Sequence, residues 1–433
     1  MFSLGVSSRP FLFCVILIAF GFGYFKVAGR LAPDVFRVSP TMVAGTHEPR
    51  FQSHFASSKQ QIQTHGASVI ELKDGRLRAF WFSGSREGAK DVAIQDALFD
   101  PAQGRWSAER SVASREATQG GLLRYISKLG NPVVARAADD RLWLFYVTVS
   151  LGGWAGSSIT ALHSADEGET WSAPQRLVTS PFINISTLVK SAPFLYADGT
   201  LGLPVYHEFI SKFGEVLRLG KNGEVLDKQR LSAGADRGLQ PVVLVQGAQD
   251  ARVLMRYAGD APRRVLSVTT HDAGAHWSVP EKTSLANPNA ALSAIVLQDG
   301  RMVAVLNDLE DGRDALTLAV SSDGGVSWQK AGQLEDQVAA RQQIRDKTDY
   351  LKRVEVLAKD SDTAATPQHV ESVKQAVCTP GCRFEFSYPY LIQTRSGDLH
   401  LVYTWNRSFI KHLWFNPAWL DEQLNVAHHA PIH

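Results

Sequence analysis

The strings SADEGETW (Ser164–Trp171), THDAGAHW (Thr270–Trp277) and SSDGGVSW (Ser321–Trp328) share one pattern, S/T-x-D-x-G-x-[T/S/H]-W. Each part suits a tight reversal: the Asp accepts backbone N–H bonds, the Gly permits the turn, and the Trp buries its ring between strands. DPAQGRW (Asp100–Trp106) reads as a worn fourth copy. The four tryptophans are 65, 106 and 51 residues apart, so the middle interval holds two units. A side chain needed once per repeat is structural, which assigns these aspartates to turns and not to catalysis.

A second pattern runs beside the first. An acidic or Gly turn precedes an apolar strand at DGRLRAFWF (from Asp74), DDRLWLFYV (from Asp139), DGTLGLPVY (from Asp198), DARVLMRY (from Asp250), DGRMVAVLN (from Asp299) and SGDLHLVYTW (from Ser396). Asp-Gly before alternating apolar residues is a hairpin signal, because Gly supplies positive φ and the strand alternates faces. Strand repeats of roughly 40–50 residues are propeller blades, small sheets that bury both faces only against neighbours. The expected fold is all-β, a six-bladed β-propeller. The long gap before the sixth copy holds an insertion over residues 334–375, with no Gly and a single Pro367. It reads as one or two helices decorating the rim, with a lid over a substrate as the second reading.

The 433 residues contain 44% apolar and 20% charged side chains, the composition of a protein with a packed core. A net charge of +2 excludes the electrostatic footprint of a nucleic-acid-binding protein. Phe11 to Phe25 (FLFCVILIAFGFGYF) carries no charge and is flanked by Arg9 and Lys26. That stretch is shorter than the ~20 residues that span a bilayer, so it reads as a signal peptide, with an uncleaved membrane anchor as the alternative. Either way the globular part is expected to be exported, periplasmic or extracellular. Cys378 and Cys382 in CTPGC then suit a local disulfide. The expected organisation is a targeting segment over 1–31, a linker over 32–63, a propeller over 64–415 and a tail over 416–433 that includes His428, His429 and His433. No metal cluster, phosphate loop or nucleotide fingerprint is present in the sequence, and no cofactor is implied.

The repeat strings in a six-blade arrangement resemble the sialidase (neuraminidase) superfamily. The likeness is strongest to its bacterial BNR-repeat group, through His65-Gly-Ala-Ser68, FWFSGSREGAKDVAI (Phe80–Ile94), GNPVV from Gly130, and SYPYLIQ, LHLVYTWNR and IKH between Ser387 and His412. The resemblance implies an exo-sialidase type of glycoside hydrolase that holds a sugar carboxylate with arginines, attacks with a Tyr paired to a Glu, and uses an Asp as acid/base. Tyr388 is similar to the nucleophile, Asp91 to the acid/base, and Arg256 and Arg313 to two of the arginines. Arg86, Arg237 and Arg407 join them as candidate substrate-binding cations. Two positions depart from the pattern. His65 stands where the first arginine is expected, and Leu239-Gln240-Pro241 offers no acid where the glutamate is expected, the nearest being Glu208 beside His207.

Arginine suits a sugar carboxylate because its planar fork bonds in a bidentate manner. A Tyr hydroxyl needs nearby cations to act as a phenolate. The set His65, His207, Glu208, Arg256, Arg313, Tyr388 and Asp91 also fits a β-eliminating lyase for uronate glycans, in which His and Tyr exchange protons near neutral pH. A glycosidase for another sugar, with Asp91 and Glu208 as paired carboxylates, and a non-catalytic carbohydrate-binding propeller remain open. In every reading the partner is a glycan.

Overall fold

The computed structural model describes residues 13–18, 21, 35–38, 48–58, 61–180, 184–232, 234, 236–361, 366–378 and 382–429. Six antiparallel sheets follow one another along the chain, each begun by a buried inner strand. These inner strands are Gln63–Glu71 in blade 1, Lys128–Arg136 in blade 2, Gly238–Val245 in blade 4, Ser293–Val296 in blade 5 and Phe386–Gln393 in blade 6. In blade 3 the inner strand is broken into Leu188–Val189 and Phe194–Leu195.

The six apolar runs of the sequence are the second strands of the six blades: Leu77–Gly84, Leu142–Val149, Leu201–His207, Ala251–Tyr257, Met302–Leu306 and Leu399–Trp405. Almost all their side chains are buried, as strands packed on both faces must be. Aromatic contacts join the blades. Trp171 of blade 2 meets Phe80 of blade 1 edge-on at 5.7 Å, and Phe99 of blade 1 meets Trp414 of blade 6 at 5.7 Å.

The repeated Asp strings form the turns between third and fourth strands of blades 2, 4 and 5. In blade 2, Ser164 Oγ donates to Asp166 (2.7 Å) and accepts from the Gly168 amide (2.8 Å), while Asp166 accepts from the Thr170 amide (2.9 Å). Gly168 takes φ 84°, the left-handed region the turn requires. The bonds are internal to each turn, in agreement with the structural reading of these aspartates.

Three boundaries differ from expectation. Phe51–Phe55, within the expected linker, is the outer strand of blade 6, paired to Phe409–Phe415, and Phe36 is buried against Phe194 and Tyr196. The ring is therefore closed by the start of the chain meeting its end, a pairing no local pattern encodes. Residues 417–429, within the expected tail, form a helix seated through fully buried Leu420, with Trp419 stacked on Phe51. The insertion holds three helices, Val338–Gln343, Lys347–Ser361 and Thr366–Val377. Tyr350, Val354, Ala358 and Val373 sink into the core shared with Phe384, Trp405 and Phe409, so this element is anchored to the flank of blades 5 and 6. Cys378 and Cys382 are joined by a disulfide. Of the expected targeting segment 11–25, residues 13–18 are helical and most of the rest lies outside the described residues. Among the described residues no helix is long and apolar enough to cross a membrane.

Candidate functional site

Pairing of the inner strands is interrupted at one level in four blades. One residue too many stands at Gly66-Ala67, Asn131-Pro132, Gln240-Pro241 and Tyr388-Pro389. The first residue of each bulge is left-handed, with φ 63°, 48°, 50° and 54°. A proline second in the bulge suits the geometry, since it lacks an N–H to leave unpaired. Left-handed backbone at non-Gly residues is costly, and such positions gather at functional sites. The bulges sit at the end of the propeller opposite the Asp turns.

Tyr388 occupies the blade 6 bulge and is half-buried. Three side chains from other blades face its ring. His65 of blade 1 is edge-on at 4.5 Å between centroids, Lys190 of blade 3 lies 5.7 Å from the ring and Arg313 of blade 5 5.9 Å. His65 is buried, and its Nδ1 has no hydrogen-bond partner within the protein among the described residues. Burial lowers the imidazole to about 4, against the pull of Glu87, so it is neutral at pH 7.

A carboxylate absent from the expected set organises the cations. Glu385 accepts from Arg407 Nε at 2.7 Å, from Arg313 Nη1 at 3.1 Å and from Ser387 Oγ at 2.9 Å. Burial works to raise its pKa, but His65, Arg407 and Arg313 outweigh that and hold it down to about 2. Arg407 is delivered by a three-residue hairpin loop, Asn406 to Ser408, in which Asn406 (φ 50°) and Arg407 (φ 54°) are both left-handed and the Ser408 amide donates to the Trp405 carbonyl at 3.1 Å. It also reaches Glu87 at 3.3 Å, so Glu87 pairs with Arg407 across blades and not with its neighbour Arg86.

Arg256 projects from blade 4. Its Nε donates to Asn289 Oδ1 at 2.7 Å and its Nη1 to Gln240 Oε1 at 3.3 Å. Asn289 also links the second arginine, accepting from Arg313 Nη2 through its carbonyl at 3.3 Å. Gln240 in turn donates to the Tyr206 hydroxyl at 3.3 Å. Tyr206 is pushed up chiefly by burial, with Glu208 and Tyr388 adding to the rise.

The structure thus gathers Tyr388, His65, Arg313, Arg407 and Arg256 around the axis, with Glu208 at its edge through Tyr206. Others stand apart. His207 turns to the opposite face of its strand and stacks on Phe213 at 4.7 Å. Asp91 is exposed, its two oxygens accepting from the amide and hydroxyl of Ser85 at 2.9 Å each. Arg86 is exposed on the same loop, and Arg237 is exposed and paired with Asp260 at 2.9 Å. Glu385, Asn289, Gln240 and Lys190 lie outside the set expected from the sequence. The x-Pro pairs of the inner strands, Asn131-Pro132, Gln240-Pro241 and Tyr388-Pro389, are the signal that marks the level of the site. Among the described residues no His, Cys, Asp and Glu group could hold a metal ion.

A family model described as BNR repeat-like domain matches residues 75–401. No curated protein matches the sequence. Among solved structures, a protein of unknown function from Dyadobacter fermentans is similar with a TM-score of 0.60 at 12% identity, over 85% of this chain and 99% of that one. The intramolecular trans-sialidase of Ruminococcus gnavus, solved with oseltamivir carboxylate, is similar with a TM-score of 0.59 at 12% identity, over 84% and 97%. The Hadza microbial sialidase Hz136 is similar with a TM-score of 0.59 at 16% identity over 81% of this chain, which spans 65% of the length of that protein. At such identities the likeness is one of fold, a sialidase-like six-bladed propeller.

Proposed function

The chain belongs to the BNR repeat-like domain family, and from that premise we propose that it is an exported, sialidase-type glycoside hydrolase acting on a terminal sugar that bears a carboxylate. The observation that carries the reading is the setting of Tyr388, a half-buried phenol on a left-handed bulge with Arg313, Lys190 and His65 against its ring. Arg313 and Lys190 set positive charge against the ring whose oxygen is to attack a sugar carbon. Arg256, Arg313 and Arg407 come from three blades and supply forks for the sugar carboxylate, with Arg313 and Arg407 aligned beforehand by Glu385.

In this reading the phenolate oxygen bonds to the anomeric carbon as the aglycone oxygen leaves with a proton, and water then releases the sugar from Tyr388. Glu208 is favoured over Asp91 as the acid, because both oxygens of Asp91 are taken by Ser85 whereas Glu208 is in electrostatic reach of Tyr206. The disulfide Cys378–Cys382 accords with an oxidising compartment.

A second reading, elimination from a uronate glycan, is favoured by one observation. His65 is a neutral base whose Nδ1 lacks a protein partner among the described residues, in ring contact with Tyr388. Such a base removes the proton beside the carboxylate, the glycosidic C–O bond breaks, a C=C bond forms, and the leaving oxygen takes a proton from the phenol. Incubation with sialosides and with uronate-capped oligosaccharides separates the two. Free sugar without ultraviolet absorbance supports hydrolysis; rising absorbance from an unsaturated product moves the enzyme to the lyase class. Glycan binding with neither signal would reject both.

A further inference from the structure

Lys190 stands where the inner strand of blade 3 breaks. Pairing to the second strand stops at Val189↔Val205 and resumes at Phe194↔Gly202, so four residues span the space opposite two. Its side chain is only 2% exposed. The ammonium lies 5.7 Å from the Tyr388 ring, 5.2 Å from the Tyr390 ring and 3.5 Å from the Pro389 carbonyl, three consecutive residues of the blade 6 inner strand. Burying an ammonium is costly, and an apolar side chain of like volume would fill the space without that cost. The charge is therefore spent on its neighbours, whose ring faces and carbonyl oxygen all attract a cation.

We propose that Lys190 is a positioning residue for Tyr388: its ammonium, bonded to the Pro389 carbonyl and set against both tyrosine rings, holds the phenol at the propeller axis. This deepens the reading of Tyr388 as the reactive group and rests on it. Burial brings the Lys190 ammonium down to about 7, so its charge changes near neutrality. The other groups facing the two residues keep theirs there. His65 of blade 1 is neutral above about 4, and Glu385 is ionised above about 2. Arg313 of blade 5 and Arg407 of the blade 6 hairpin are permanent cations. Tyr206, with Glu208 behind it, and Tyr390 are both pushed up by burial.

The experiment uses the full chain with ¹³C-labelled tyrosine rings. The Tyr388 Cζ resonance is assigned by its loss in Tyr388→Phe and followed from about pH 5.5 to 8.5, a window that brackets neutrality. A step near neutrality in the wild type, absent in Lys190→Met, is the expected result. Lys190→Arg, which keeps a cation and guards against a misfolded Met variant, should hold the low-pH position throughout. A flat wild-type trace, or the same step in Lys190→Met, overturns the proposal. This readout needs no substrate, so it can fail or succeed independently of the hydrolase reading. With a substrate in hand, Lys190→Met should lower kcat at least tenfold with KM little changed, and Lys190→Arg should remove the loss of rate above neutral pH. An unchanged kcat in Lys190→Met would also overturn it.

Discussion

The rings of His65 and Tyr388, from blades 1 and 6, meet edge-on with centroids 4.5 Å apart. They are 323 residues apart in sequence and are brought together because blades 1 and 6 adjoin where the ring closes. A neutral imidazole there can take the phenol proton but cannot anchor a carboxylate. His65→Phe keeps the aromatic contact and removes the base, so turnover should fall by about 10²–10⁴ while substrate binding is retained. Single-turnover kinetics beside a binding isotherm would check this, and an undiminished rate would remove His65 from the reaction.

Glu385 holds Arg313 and Arg407 at once. Its replacement by Gln leaves two guanidinium groups without their shared anion, and the cost should be about 1–3 kcal/mol of stability. Substrate affinity should fall as well, because both forks lose their alignment. Thermal melts and KM report the two effects; a variant with wild-type KM would show that the arginines do not hold substrate.

Acid should destabilise the protein earlier than its carboxylates alone would. Burial lowers His65 to about 4, His400 to about 3 and His412 well below the ordinary value, and the latter two share a hydrogen bond of 2.9 Å. The unfolded chain takes up protons below about 6.5, whereas the folded chain does not until its lowered values are reached. Stability from these groups is thus complete above about 6.5 and is lost as pH falls, by about 1.4 kcal/mol per group per pH unit. Melting temperature against pH should slope down from near pH 6.5, and replacing His400 and His412 together by Gln should flatten it. An unchanged slope in that variant would exclude the pair as the cause.

The network between blades 1 and 2 offers a contrast between fold and function. Arg78 and Asp96 are each about 1% exposed and bonded at 2.5 Å, with Arg110 on the same carboxylate at 2.7 Å. Asp96→Asn should cost about 1–3 kcal/mol, the loss of the buried carboxylate's charge-assisted bonds, since Arg78 and Arg110 both keep Glu169 of blade 2 as a partner. Asp323→Ala, in the blade 5 turn, should lower the melting temperature and leave kcat unchanged, since its bonds go to Ser321 and Ser327 at the far end of the molecule. A loss of kcat at constant stability in Asp323→Ala would contradict the structural reading of the Asp turns.

The blades were legible because their signals are local. Each Asp-Gly turn precedes its own second strand, and each Asp string closes its own hairpin. What was not legible is non-local. Phe51–Phe55 carries no mark that it will pair with Phe409–Phe415, and Glu385 lies three residues before Tyr388 with nothing to show that Arg407 will reach it from a hairpin turn. His207 was misplaced for a different reason: Tyr206, the next residue, takes the inward face, and strand alternation sends His207 outward. The same alternation, applied to PVYHE, would have chosen Tyr206 and Glu208 over His207.

The most direct test of the account compares a carboxylate-capped oligosaccharide with its methyl ester, using the wild type and Tyr388→Phe. The account predicts turnover of the acid by the wild type, loss of at least about 1.4 kcal/mol of transition-state stabilisation, a tenfold drop in kcat/KM, on esterification, and no turnover of either by Tyr388→Phe. Equal rates on acid and ester, or an active Tyr388→Phe, would contradict it.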